Sequence, residues 1–190
     1  MSEDEFVQKL KSGDRDAFNS MVNAYQMKVI NIAYRMLSSE EDALDAAQET
    51  FIKVYKSINS FKGSSTFSTW IYRICTNVCN DILRKRMKSS GFISLDDDGS
   101  DENPKTDIAD SSPTPEQSYE LSERQRLVHE GINMLSDEYR KVIILYDIEG
   151  LSYEEISVIL SCPIGTIKSR LNRARNNLKK ILSENMELFS

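Results

Sequence analysis

The sequence predicts an all-α protein: two small helical domains joined by a flexible acidic linker, the C-terminal one a helix-turn-helix domain. Three observations predict it. Apolar residues recur at spacings of three and four along most of the chain, and no useful length alternates with the period of a strand. One internal stretch loses that period and fills with Asp, Ser and Pro. Near the C-terminus a short capped helix, a tight turn and a longer basic helix follow one another.

With 190 residues, 39% of them hydrophobic and 28% charged, the chain can bury a real core as one ordinary domain or two small ones. Its 24 Lys and Arg against 30 Asp and Glu give a net charge of −6, which at first sight argues against a nucleic-acid partner. The regional balance reverses that argument. Net charge is +2 over residues 1–90, −8 over 91–120 and 0 over 121–190, so the middle segment supplies the acidity. The longest strongly apolar stretch, Val142 to Leu145, is far short of the roughly 18 residues needed to span a bilayer. The acidic start Met-Ser-Glu-Asp-Glu-Phe lacks the basic and apolar regions of a secretory signal, so the expected location is the cytoplasm. Three cysteines without a C-x-x-C and a single His129 argue against a disulfide scaffold, a zinc finger or another metal site, and no cofactor is expected.

In the first domain, 1–90, Ser2 and Glu5 have capping-box spacing for a short helix that Gly13 is placed to end. A second helix carries Phe18, Met21, Val22, Tyr25, Val29, Ile32, Ala33, Met36 and Leu37. Ser39 can cap a third, with Ala43, Leu44, Ala47, Phe51, Val54, Tyr55 and Ile58. After the polar loop Lys62-Gly63-Ser64-Ser65-Thr66, a fourth carries Phe67, Trp70, Ile71, Ile74, Cys75, Val78, Cys79, Ile82 and Leu83 and ends in a basic cluster at 84–88. Residues 91–116 form the linker: like charges extend it and its prolines bar helix continuation, so the flanking segments are expected to be separate bodies on a tether. The second domain, 117–190, begins with a helix around Pro115 to Leu135. Ser136 then caps a helix that Gly150 terminates, and Ser152 with Glu155 makes another capping box, for a helix of about two turns ending near Leu160. Ser161-Cys162-Pro163 makes the turn, and a final long helix places Ile164, Ile167, Leu171, Ala174, Leu178 and Ile181 on one face. Between 163 and 182 it holds six basic residues and no acidic one.

Helix, turn and basic helix suit a segment that enters the major groove, although a solvated basic face on an ordinary hairpin has the same composition. Two details favour the groove. Gly165 and Thr166 occupy the first turn, where small side chains let exposed amides approach phosphate, and Lys168, Ser169, Asn172 and Arg173 share the face opposite the apolar stripe. A second constellation sets Phe61, Phe67, Trp70 and Tyr72 around the Gly/Ser loop, followed by the basic cluster. Such a set stacks and tracks single-stranded nucleic acid, or simply packs a core and complements a helix dipole. A third is acidic. Glu40 to Asp42 suit a first turn, whereas Asp45, Gln48 and Glu49 lie beyond it and suggest a protein partner. Cys75 and Cys79 read most simply as small buried residues, with a redox pair as the alternative.

Asp42-Ala-Leu-Asp-Ala-Ala-Gln-Glu-Thr-Phe51, Phe67-Ser-Thr-Trp-Ile-Tyr-Arg73, Leu151-Ser-Tyr-Glu-Glu-Ile156 and Cys162 through Arg175, in this order, resemble the extracytoplasmic-function (ECF) group of bacterial RNA polymerase sigma factors, of the sigma-70 family. The resemblance covers both domains and the linker. It implies a non-enzymatic factor that binds core polymerase and directs promoter-specific initiation. Asp42, Asp45, Gln48, Glu49, Phe51 and Lys53 would lie at the polymerase clamp. Lys62, Gly63, Ser64, Ser65 and Thr66 would receive a flipped base, with Phe67, Trp70, Arg73, Asn77, Asn80 and Arg84 along the melted strand. Lys168, Ser169 and Arg173 would reach the upstream element, Thr166, Arg170 and Arg175 its phosphates, and Gly165 and Asn172 complete that surface. Asn172 stands where some relatives carry an aromatic or a histidine, and Asp81 puts a negative charge beside the strand path. The resemblance also implies an anti-sigma partner, which could hold the factor at the membrane without insertion. A conventional helix-turn-helix regulator would share the second domain without needing the acidic face, and an antagonist of polymerase would share the first without the basic helix.

Overall fold

The computed structural model describes residues 2–89 and 126–187, and among these there is no strand. In the first part α1 (Glu3–Lys11), α2 (Arg15–Leu37), α3 (Glu40–Ser57) and α4 (Phe67–Ser89) pack together, with a short 3-10 turn, Ile58–Ser60, after α3. Capping chemistry sets the starts as expected. Ser2 and Glu5 form a reciprocal capping box, Asp14 accepts from the amides of Asp16 and Ala17, and Ser39 accepts from Asp42. Gly13 follows α1 with φ +80, a conformation a side chain would strain.

The second part contains α5 (126–133), α6 (Asp137–Ile143), α7 (Tyr153–Leu160) and α8 (Ile164–Glu187). The expected helix from Pro115 is described only from 126 onward, and the linker 91–116 lies outside the described residues. Ser136 precedes α6 but caps it through its backbone: the side chain makes no capping bond, while its carbonyl accepts from Tyr139 and Arg140. Immediately after α6 the backbone widens into a π turn, Ile144–Ile148, sealed by the Glu149 amide donating to the Ile144 carbonyl at 2.9 Å. A plain apolar helix and a widened one have the same composition here. Ser152 and Glu155 make the second capping box, and α7 is the short helix expected.

The expectation of separate bodies is corrected: the two parts share one continuous apolar core, with α7 against α4 and the π turn against α2. Polar contacts line this seam. Lys28 donates to the Glu149 carbonyl at 3.1 Å and pairs with its carboxylate at 3.7 Å, and Thr69 donates to Glu155 at 3.3 Å. Ser38 donates to Asn133 at 2.8 Å, Arg140 reaches the Met36 carbonyl at 3.5 Å, and the rings of Tyr34 and His129 stack at 5.4 Å. None of these pairs has a local sequence signal, which is why the chain reads as two bodies.

Candidate functional site

Three surfaces carry the residues singled out by the sequence. On α8, Ile167, Leu171 and Ala174 are buried against α6 and α7, and Lys168, Ser169, Asn172 and Arg173 stand exposed on the opposite face. Lys168 lies over the Tyr153 ring at 5.2 Å, and Ser169 donates to the Thr166 carbonyl at 2.9 Å. Gly165 is exposed, and a Cβ built on it meets nothing within 4 Å. Two arginines of this helix are tied to carboxylates of other elements. Arg170 pairs with Glu138 at 2.8 Å, tying α8 to α6, and Arg175 grips Asp147 with two nitrogens while lying over Tyr146. The α7–α8 turn places Ser161 at φ 53 and lets Ser157 donate to the Cys162 carbonyl at 2.7 Å, which holds the two helices at a fixed angle.

On the first part, the loop Lys62 to Thr66 projects between two buried aromatic anchors, Phe61 and Phe67. Gly63 takes φ +70, so the loop turns where a side chain would strain it. Thr66 closes the start of α4: its hydroxyl accepts from the Thr69 amide at 3.3 Å and meets the Thr69 hydroxyl at 2.7 Å. Phe67 is corrected from strand contact to core. It is 0% exposed, at the centre of a ring cluster with Phe6, Tyr25, Phe61 and Trp70 at centroid distances of 5.5–6.2 Å. Trp70 is partly buried on that cluster, and Arg73, Asn77 and Arg84 are exposed along α4. Asn80 is only partly exposed on α4, and its Oδ1 and the Thr76 hydroxyl are buried with no partner among the described residues. Tyr72 lies beside the seam, and burial pushes its phenol up to about 12.

The third surface is a groove of about 710 Å³ between α3 and α4, lined by Asp42, Asp45, Gln48, Glu49, Ile52 and Lys53 on one side and Asp81, Arg84, Lys85 and Lys88 on the other. Lys53 pairs with Glu49 at 3.7 Å and Asp81 at 3.9 Å, and Arg84 pairs with Asp81 at 3.3 Å, so the Asp81 charge is bracketed by cations. Asp42 is paired with Arg86. Phe51 is corrected: at 8% exposure it belongs to the core beneath the groove, while the apolar residues α3 shows to solvent are Leu44, Ile52 and Tyr55. Leu44 and Tyr55, which the sequence groups with the apolar residues of this helix, are thus exposed rather than core, and Ile52, which its reading leaves out, stands exposed with them. Cys75 and Cys79 are both buried, and a buried thiol beside a second one holds the Cys75 pKa well above its ordinary value.

Comparison with known proteins places these surfaces in a family. The description Sigma-70 region 2 matches residues 21–89, and Sigma-70, region 4 matches residues 125–178. Over 182 residues, 94% of either chain, the sequence is 37% identical to an ECF RNA polymerase sigma-E factor of Haemophilus influenzae. It is also 37% identical to the ECF sigma factor SigW of Bacillus subtilis over 94% of this chain and 95% of SigW. A solved structure of the sigma factor RpoE in complex with the anti-sigma factor NepR, from Bartonella quintana, superposes with a TM-score of 0.64 at 29% identity, covering 87% of this chain and 96% of that one. These relatives are sigma factors, which are not enzymes. The chain belongs to the ECF group of sigma-70 family RNA polymerase sigma factors.

Proposed function

We propose that this chain binds core RNA polymerase and directs it to a set of promoters, reading an upstream duplex element with α8 and capturing one melted downstream strand with the 62–66 loop and α4. The observation that carries the reading is the bare face of α8. Lys168, Ser169, Asn172 and Arg173 are exposed together, while neighbouring Arg170 and Arg175 are held by carboxylates, so in this stretch of the helix Lys168 and Arg173 are the cations turned to one side without a carboxylate partner among the described residues. Phosphate contact then falls to Gly165 and Thr166 at the helix start.

Polymerase docks on the α3 face, where Asp45, Gln48 and Glu49 lie beside exposed Leu44, Ile52 and Tyr55. The functional units are 1–90 for docking and strand capture, 91–116 as connector and 117–190 for duplex reading. Neither unit performs bond chemistry; the factor contributes binding energy, and the polymerase transfers phosphoryl groups. Unstacking a base costs a few kcal/mol, and a fitting pocket with aromatic stacking, about 1–3 kcal/mol per base, offsets it only on the right sequence. An anti-sigma protein is a further partner, by analogy with the RpoE–NepR complex, and would hold the factor inactive, at a membrane if it is itself anchored there. The test is runoff transcription with core polymerase on genomic fragments. Discrete promoter-dependent transcripts that require the chain support the reading, and transcripts unchanged by its addition overturn it.

A further inference from the structure

The helix α1 precedes both matched family segments and enters the surfaces described above only through the Phe6 ring beneath the 62–66 loop. Its sequence explains its own formation: a capping box at Ser2 and Glu5, acidic residues in the first turn, and Lys9 and Lys11 in the last. Dipole compensation accounts for these residue types but not for where two of them reach. Glu3, the first helical residue, accepts the Phe67 amide at 2.7 Å through Oε1. Lys11, the last, donates from Nζ to the Phe61 carbonyl at 2.9 Å. Phe61 and Phe67 are the residues on either side of the 62–66 loop, so one helix holds both ends of that loop across separations of 50 and 64 residues. Eight residues of helix separate the two holding side chains, a rise of about 12 Å on a rigid rod.

The fit extends to apolar atoms. Val7 and Leu10 are buried, and the Phe6 ring meets the Phe67 ring edge-on at 6.2 Å. Both polar contacts are charge-assisted, one to an otherwise unused donor at a helix start and one to a carbonyl at a loop entrance. The Glu3 carboxylate also acts on Tyr25, whose phenol is pushed above its ordinary value by burial and then by that charge. A five-residue loop with a glycine at positive φ would otherwise sample many shapes, and fixing its two ends removes most of that freedom before any ligand arrives.

The geometry points to α1 as a positioning brace: Glu3 and Lys11 fix the ends of the 62–66 loop and thereby the shape in which it meets a promoter base, an inference that rests on the strand-capture role proposed for the loop. Neither residue touches DNA. Each acts through the loop, so its loss degrades discrimination between bases more than it degrades folding or docking.

The experiment uses holoenzyme reconstituted from the full chain and core polymerase, on a promoter recovered by the runoff assay and randomised in its downstream element, with opening read by permanganate reactivity. Lys11→Met keeps the aliphatic stem and Glu3→Gln keeps the shape. Each is expected to lower the ratio of opening on the preferred element to opening on single-base variants by fivefold or more. Core affinity should stay within twofold, and Lys11→Arg should restore the ratio. Because the ratio is internal to the folded population, partial unfolding does not mimic the result. A discrimination ratio unchanged in both variants, in a chain whose opening is lost when residues 63–66 are replaced, overturns the brace alone. Opening that survives replacement of 63–66 overturns the loop's role and the brace with it.

Discussion

The exposed faces of α4 and α8 are both proposed to meet DNA, yet they are built on opposite plans. The α8 helix rests on α6 and α7 through one apolar stripe and leaves its other side bare, so the reading residues are separate from those that hold it in place. The α4 helix is enclosed by α2, α3 and α7, and a strip bearing Arg73, Asn77 and Arg84 remains open, together with Lys85, Met87 and Lys88 at its C-terminal end. Its loop end is assembled from α1, α2 and α4 around one ring cluster. A surface on a single helix can change its sequence preference by substitution at a few positions. One assembled from several elements can change only where a side chain serves neither packing nor positioning.

The largest expected effect sharpens this contrast. Phe67→Ala removes a fully buried ring at the centre of the cluster and should cost about 3–5 kcal/mol of stability, read as a lowered thermal midpoint. Lys168→Ala on α8 should change stability by no more than about 0.5 kcal/mol, as an exposed substitution does, and leave that midpoint nearly where it is in the parent. If Phe67→Ala melts like the parent but fails to open promoters, the ring belongs to the strand site and the correction made above is itself wrong.

Replacement of Gly63 to Thr66 by a loop of different sequence should come next, lowering promoter opening about tenfold to a hundredfold, the worth of one stacked base, without changing core affinity. On α8 the two classes of arginine should part. Arg173→Ala should cost about 1–3 kcal/mol on the preferred upstream element and relax choice at one base pair. Arg175→Ala should leave both sequence choice and salt slope nearly unchanged, because Asp147 already neutralises that guanidinium. A salt slope lowered by about one in Arg175→Ala would show that it leaves Asp147 for a phosphate on binding.

How legible these surfaces were follows from the same contrast. Caps, the helices of the described residues and the exposed face of α8 are readable because each depends on residues within one or two turns of one another: Ser2 with Glu5, Ser152 with Glu155, Lys168 with Arg173. What the sequence hid is tertiary. Glu3 and Lys11 look like ordinary dipole partners until their contacts with Phe67 and Phe61 are seen. Phe67 at helical spacing fits a core, while its place beside a Gly/Ser loop also suits stacking, and burial decides for the core. The π turn at Ile144 and the seam pairs Lys28–Glu149 and Ser38–Asn133 follow from packing, on which composition is silent.

The seam gives the smallest effect, one confined to a single pH window. His129 stacks on Tyr34 across the seam and is half-buried, and burial together with Arg35 and Arg140 holds its pKa below the ordinary value of 6.5, with Glu130 opposing. The folded chain therefore resists a proton that the unfolded chain accepts. Well above pH 6.5 both states are neutral at this site and it contributes no slope. As pH falls from there toward the lower folded value, the unfolded state binds the proton first and stability declines. Glu155, whose pKa is lowered chiefly by its hydrogen bond from the Ser152 amide, acts in a separate window: its contribution is present above the ordinary carboxylate value and is lost only as pH falls further. His129→Phe preserves a flat ring against Tyr34 and removes the proton site. Thermal midpoints of the full chain at successive pH values should show a shallow decline as pH falls through about 6.5 in the parent and none there in His129→Phe. An identical decline in both chains would place the titrating group elsewhere and leave the Tyr34–His129 stack as packing alone.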